Sequence, residues 1–235
     1  NNSATMGGAI DNTGQIDLVN VLVYNNTAEN EGGGVRLQGN TASFSNVTIV
    51  NNHASYGGGI EINSGSFVDV QNSAIWANTP QQFHIGDNVN HLTVTYSDIQ
   101  NGQDSVAFSE TNNDTLIWGS GNIDVNPMFV DTANGDYHLL ASSQCINGGH
   151  PDSLDSDGSR ADIGAYPYLN SYSGPTWYVE TEGNDTTGTG ASDDPFRSIQ
   201  AGINFSSDAD SVTVAAGTYV ENINFRGRNI KVAGA

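Results

Sequence analysis

Leu18-Val19-Asn20-Val21-Leu22-Val23, Phe44-Ser45-Asn46-Val47-Thr48-Ile49 and Val70-Gln71-Asn72-Ser73-Ala74-Ile75 are three versions of one phrase, an asparagine set within a short apolar alternation. The three asparagines stand 26 residues apart. Upstream of each phrase lies a glycine run, Gly7-Gly8, Gly32-Gly33-Gly34 or Gly57-Gly58-Gly59, and upstream of that an opening, Asn1-Asn2-Ser3, Asn25-Asn26-Thr27 or Asn51-Asn52-His53. Self-similarity at a period of this size marks a chain built from stacked supersecondary units.

Each unit offers two short alternating strands separated by Gly and Asn, with no helix-length apolar pattern, and it cannot bury its apolar positions alone. It must stack on its neighbours. Stacking at the strand spacing of ~4.8 Å puts Val21, Val47 and Ser73 in one column and Val23, Ile49 and Ile75 in another. The pattern therefore predicts an all-β chain wound as a parallel β-helix, a solenoid with an aliphatic interior. Asn20, Asn46 and Asn72 are read as a structural ladder at a bend, because Asn tolerates left-handed backbone angles and its amide can bond the amide above. The glycine runs serve another corner. A fourth coil is legible in Leu92-Thr93-Val94-Thr95-Tyr96-Ser97-Asp98-Ile99, where Tyr96 takes the Asn place.

Acidic residues outnumber basic ones 26 to 6, which gives a net charge of −20. A surface of that sign repels nucleic acid and anionic membranes, and suits calcium or a salty exterior. No run is apolar enough for membrane insertion. The single cysteine, Cys145, cannot form an internal disulfide, and its neighbours Leu139, Leu140 and Ile146 predict a buried thiol. With no signal peptide and no initiator methionine, the chain is read as a mature segment or a fragment.

Beyond the coils, Asn101-Gly102 and Asn112-Asn113-Asp114 signal turns, and Leu116-Ile117-Trp118 a short strand. Then come Asn122-Ile123-Asp124-Val125-Asn126-Pro127-Met128-Phe129-Val130, Gly135-Asp136-Tyr137-His138-Leu139-Leu140, Cys145-Ile146-Asn147-Gly148-Gly149 and Asp155-Ser156-Asp157-Gly158-Ser159-Arg160-Ala161-Asp162-Ile163-Gly164-Ala165-Tyr166. This run resembles the C-terminal closing segment of secreted bacterial right-handed parallel β-helix proteins of the pectate-lyase-like superfamily. Residues 169–176 have linker composition. After them, Trp177-Tyr178-Val179, Gly183-Asn184-Asp185, Asp194-Pro195-Phe196-Arg197-Ser198-Ile199-Gln200-Ala201-Gly202-Ile203 and Ala216-Gly217-Thr218-Tyr219 are similar to the N-terminal capping segment of the same family. Asp194 is the expected N-cap of a short capping helix, with Pro195 at its first position and Phe196, Ile199 and Ile203 on one face. The expected division is thus 1–168 for the coils and closing segment of one right-handed β-helix, 169–176 for a linker, and 177–235 for the cap and first coils of the next.

The resemblance brings polysaccharide lyases and hydrolases into view. A lyase needs a basic residue beside a cation site, yet the chain has one lysine, Lys231, and five arginines, none of those in the coils near an Asp cluster. A glycoside hydrolase needs two carboxylates across a cleft, and the coils offer Asp17 and Asp69, two coils apart. The reading therefore leans away from an enzyme, and no catalytic residue is assigned. The five histidines show no metal-ligand spacing. Asp155, Asp157 and Asp162, gathered round Gly158, form the one candidate metal loop, with Ca²⁺ as the ion its oxygen chemistry would take.

The expected function is an extracellular or cell-surface structural or adhesive β-helix, one repeat of a tandem array or head-to-tail filament whose partners are copies of itself. Two alternatives stand beside it, a glycan-active enzyme and a non-catalytic carbohydrate-binding module. The order of parts motivates the array, because a closing segment precedes a capping segment. In addition, Arg228-Asn229-Ile230-Lys231-Val232-Ala233 matches Ser45-Asn46-Val47-Thr48-Ile49-Val50, with Asn229 in the ladder place. If another copy followed Ala235, Asn229 would lie 26 residues before the next Asn20.

Overall fold

The computed structural model describes residues 1–39, 41–109 and 113–235, so Asn112 of the expected turn lies outside the described residues. The chain forms two compact units: residues 1–125 with 148–150 and 163–165, and residues 126–147 with 151–162 and 166–235.

The first unit is a parallel β-solenoid. Its first sheet stacks Ile10–Asn12, Val35–Gln38, Ile60–Asn63, Phe83–Ile85 and Val106–Phe108. The second stacks Ile16–Val19, Thr41–Ser45, Phe67–Gln71, His91–Thr95 and Thr115–Trp118, and the third Leu22–Tyr24, Thr48–Val50, Ala74–Trp76 and Asp98–Ile99. Every pairing within these sheets is parallel, so the chain passes once through each sheet per coil. Val23, Ile49 and Ile75 pair in register, as the repeat predicts, and Ile99 extends the column. Alternation sends Val35, Leu37, Phe44, Ile60, Ile62, Val70, Phe83, Ile85 and Val94 into one continuous core. The fourth coil is present, and the stack continues through Thr115–Trp118.

The corners explain the sequence punctuation. Asn20, Asn46, Asn72 and Tyr96 turn the chain from the second sheet to the third with φ of 55°, 53°, 50° and 48°. A second left-handed column, Asn25, Asn51, Ala77 and Asn101, leaves the third sheet. Asn predominates in both because it occupies this region at less cost than other side chains. Gly7, Gly32 and Gly57 form a third such column. Beside them the coils approach so closely that a Cβ on Gly33 would stand 2.5 Å from the His53 carbonyl oxygen. The remaining corner, between the first and second sheets, varies in length: it spans residues 13–15, 64–66 and 86–90 in three of the coils.

The second unit has no such repeat. Phe129–Asp131 and Asp136–Leu139 pair antiparallel round a 3₁₀ turn, Thr132–Asn134, whose Asn134 N–H donates to the Asp131 carboxylate. Thr176–Val179, Ser211–Val214 and Lys231–Gly234 form a three-stranded parallel sheet, covered by helix α1 (Ile199–Phe205). Trp177, Val179, Phe196, Ala201, Ile203 and Val212 share one apolar cluster with Ala141. Cys145 is buried. The helix begins later than the Asp194-Pro195 pair suggests. Phe196 exchanges backbone hydrogen bonds with Tyr178 and Glu180, which holds it extended, and the Asp194 carboxylate is turned to the Thr189 N–H. Ser198 is the N-cap instead, and the Glu221 carboxylate accepts from the N–H groups of Ile199 and Gln200 at 2.8 and 2.9 Å.

Candidate functional site

The three expected ladder asparagines of the solenoid share one turn column but differ in surroundings. Asn20 is exposed, Asn46 half-buried and Asn72 buried, with the Asn72 Oδ1 accepting from the His150 N–H at 2.7 Å. Asn229 lies outside the left-handed set, in the connection before Lys231–Gly234, and its N–H donates to Asp208 Oδ1.

An amide-to-amide chain runs six residues further along the repeat. Asn2 donates from its backbone and side chain to Asn26 Oδ1, Asn26 does the same to Asn52 Oδ1, and Asn52 to Asn78 Oδ1, at 2.9 to 3.0 Å throughout. The Gln82 side chain ends the series by accepting from Asn78 Nδ2. Asn26, Asn52 and Asn78 are 3%, 1% and 5% exposed. Each spare amide hydrogen meets a backbone carbonyl: Tyr24 for Asn26, Val23 and Val50 for Asn52, Ile49 for Asn78. In the doublets Asn25-Asn26 and Asn51-Asn52 the first residue takes the left-handed turn and the second is buried.

The outward face of the first sheet carries a column of ionisable side chains. Register places Asp11, Arg36, Glu61 and His84 on successive strands. The Arg36 guanidinium bridges Asp11 and Glu31 at 3.2 and 2.8 Å. Glu61 is 1% exposed and holds His84 Nδ1 with both oxygens, at 2.9 and 2.8 Å. Burial pushes the Glu61 carboxyl above its ordinary range, and the hydrogen bond and charge of His84 pull it back. The other imidazole nitrogen, Nε2, lies 3.2 Å from Ser109 Oγ. Ser109 is exposed at the end of the next strand, and the Tyr56 ring lies over the imidazole at 5.1 Å. These groups border a cleft of about 250 Å³ whose lining also includes Asn63 and Asp87.

Asp17 and Asp69 fall in one column of the second sheet, separated by Ser43, whose hydroxyl donates to Asp17 at 2.7 Å. The Asp155, Asp157 and Asp162 loop lies in the second unit, where its carboxylates bond mainly to backbone amides. Asp162 accepts from Asn147 and Tyr168, Asp155 from Asp162, and Asp157 from Ser159 and Asn170. Burial raises the Asp155 carboxyl and pushes Asp162 up to about 8. For Asp157 burial is outweighed by the Ser159 and Asn170 hydrogen bonds, which leave it below its ordinary range. Among the described residues no group of three or more His, Cys, Asp or Glu is placed to hold a metal ion, and a calcium ion at this loop would have to take these oxygens from their amides. Among them, too, no helix is long and apolar enough to cross a membrane. No family model, curated protein or solved structure matches the chain.

Proposed function

We propose that the chain is a structural or adhesive element of an extracellular fibre or array in which β-solenoid units follow one another, joined through bodies like the second unit. One observation carries the reading: residues 126–147, which follow the last coil, and residues 176–235, which begin a new parallel sheet, fold as one body. Asn204 on helix α1 donates its buried amide to the carbonyls of Ala141 and Ser143 at 3.0 and 2.8 Å, and Arg226 donates to the Ile146 carbonyl. Ala141 is fully buried among Trp177, Phe196 and Ile203. Such a body suits a splice between a finished solenoid and a starting one. The excess of acidic over basic residues, 26 to 6, supports a setting outside the cell.

The test is to express one copy and a fusion of two copies in series, and to image both by negative-stain electron microscopy. The expected result is a rod that lengthens by a fixed increment per copy at constant width, since each coil adds ~4.8 Å. Two separate, freely hinged particles in the fusion would overturn the proposal.

A further inference from the structure

Burial falls from Glu61 through His84 to Ser109 along the outward face of the first sheet. The carboxylate is sealed, the imidazole is 5% exposed, and the hydroxyl is exposed. An imidazole serving only to neutralise a buried Glu would be complete with its Nδ1 contact. Here the opposite nitrogen addresses a serine hydroxyl at the cleft mouth. In the tautomer that carries its proton on Nδ1, held by Glu61, the Nε2 lone pair faces Ser109 Oγ–H, the relation by which an imidazole activates a serine. The three residues come from three adjacent strands of one sheet or from a strand end, and the Ser109 N–H is tied to the Ile85 carbonyl at 2.9 Å. Glu61 and His84 are therefore positioned by the sheet itself, and Ser109, the residue that follows its strand, by that backbone bond. The second unit supplies an internal contrast: His138 also bonds a carboxylate, Asp136, at 2.7 Å, but both side chains are exposed and the ring stacks on Tyr166 at 4.6 Å instead of facing a hydroxyl.

We propose that Glu61, His84 and Ser109 form a serine acyl-transfer site that hydrolyses short-chain carboxylic esters of uncharged alcohols. The small cleft limits the acyl group, and Glu31, Asp87 and Glu61 outnumber Arg36 in its lining and so disfavour an anionic substrate. In the first half-reaction Ser109 Oγ bonds to the ester carbonyl carbon as its proton passes to His84 Nε2. The carbon–oxygen bond to the alcohol then breaks, and that proton leaves on the alcohol. In the second half, water attacks the acyl carbon while giving a proton to Nε2, the bond to Ser109 Oγ breaks, and the serine regains the proton. Glu61 holds the imidazole in the required tautomer throughout.

The experiment treats the whole chain with a fluorophosphonate probe, maps the adduct by peptide mass spectrometry, and follows 4-nitrophenyl acetate hydrolysis. A single adduct on Ser109 is expected, absent in Ser109→Ala. The adduct should form about 100-fold more slowly in His84→Gln. Ser109 is exposed, so Ser109→Ala should fold and melt like the parent, which a thermal melt checks. An unmodified Ser109, labelling at parental rate in His84→Gln, or ester hydrolysis that survives Ser109→Ala would each overturn the proposal.

Discussion

The solenoid and the second unit satisfy their buried polar groups by opposite means. In the solenoid a residue's partner is its own equivalent one coil away: Asn26 bonds Asn52, and Asn52 bonds Asn78, each across 26 residues. In the second unit partners are unlike and distant: Asn204 reaches Ala141 across 63 residues, and Arg226 reaches Ile146 across 80. A repeat lets one solution serve every coil, so a single defect is felt by both neighbours. A one-off fold must find each partner separately, and its defects stay local.

The largest effect expected from this contrast is at Asn52. Replacement by Leu keeps the volume near its original value but strips the acceptor from the Asn26 backbone and side-chain amides, the side-chain donor from Asn78 Oδ1, and the donor from the Val23 carbonyl. Each buried orphan costs about 1–3 kcal/mol, so Asn52→Leu should destabilise the solenoid by about 3 kcal/mol or more. Chemical denaturation followed by hydrogen exchange should show the loss in coils on both sides of residue 52. Loss confined to one coil would break the comparison.

An effect of similar size, confined to the second unit, is expected from pH. The Asp162 carboxyl is pushed up to about 8 by burial, against the hydrogen bonds of Asn147 and Tyr168. In the unfolded chain an aspartate titrates near ~3.9. Between these values the folded state holds the proton and the unfolded state does not, so stability present below about pH 4 is lost as pH rises through about 8. Melting of the second unit should fall between pH 5 and pH 9, and Asp162→Asn should flatten the profile. An Asp162→Asn variant with the parental slope would place the proton elsewhere.

The smallest effect is expected at Asn20. It is exposed and left-handed at φ 55°, a conformation glycine adopts freely, so Asn20→Gly should change stability by no more than about 0.5 kcal/mol. Differential scanning calorimetry beside Asn52→Leu would show whether an asparagine's place in the turn or its place behind it carries the stability. A loss at Asn20 comparable to that at Asn52 would erase the distinction.

The same contrast decides what the sequence reveals. The column Val23–Ile49–Ile75 is legible because a partner sits a fixed interval away. The amide chain at Asn26, Asn52 and Asn78 is harder to see, since two asparagine columns share the period of 26 and only the turn geometry separates them. The doublets Asn25-Asn26 and Asn51-Asn52 are the available signal, because one left-handed turn cannot use both residues. The Glu61–His84–Ser109 cluster has intervals of 23 and 25, so it escapes a search at fixed period. In the second unit the thiol at Cys145 and the helix were expected from local composition, but the helix start was not. What delays it is the extended pairing of Phe196 with Tyr178, a tertiary contact no local window contains.

The variable corner between the first and second sheets has a consequence for how this molecule can be altered. The corner beyond the second sheet keeps two residues in four successive coils, Asn20-Val21, Asn46-Val47, Asn72-Ser73 and Tyr96-Ser97, whereas residues 86–90 lengthen theirs without shifting the strands on either side. Length is thus quantised at one corner and elastic at the other. A foreign peptide grafted at 64–66 or 86–90 would be carried on an intact stack, and at 86–90 it would overhang the cleft that holds His84. The elastic corner is where such a solenoid can acquire a new surface while its interior stays unchanged.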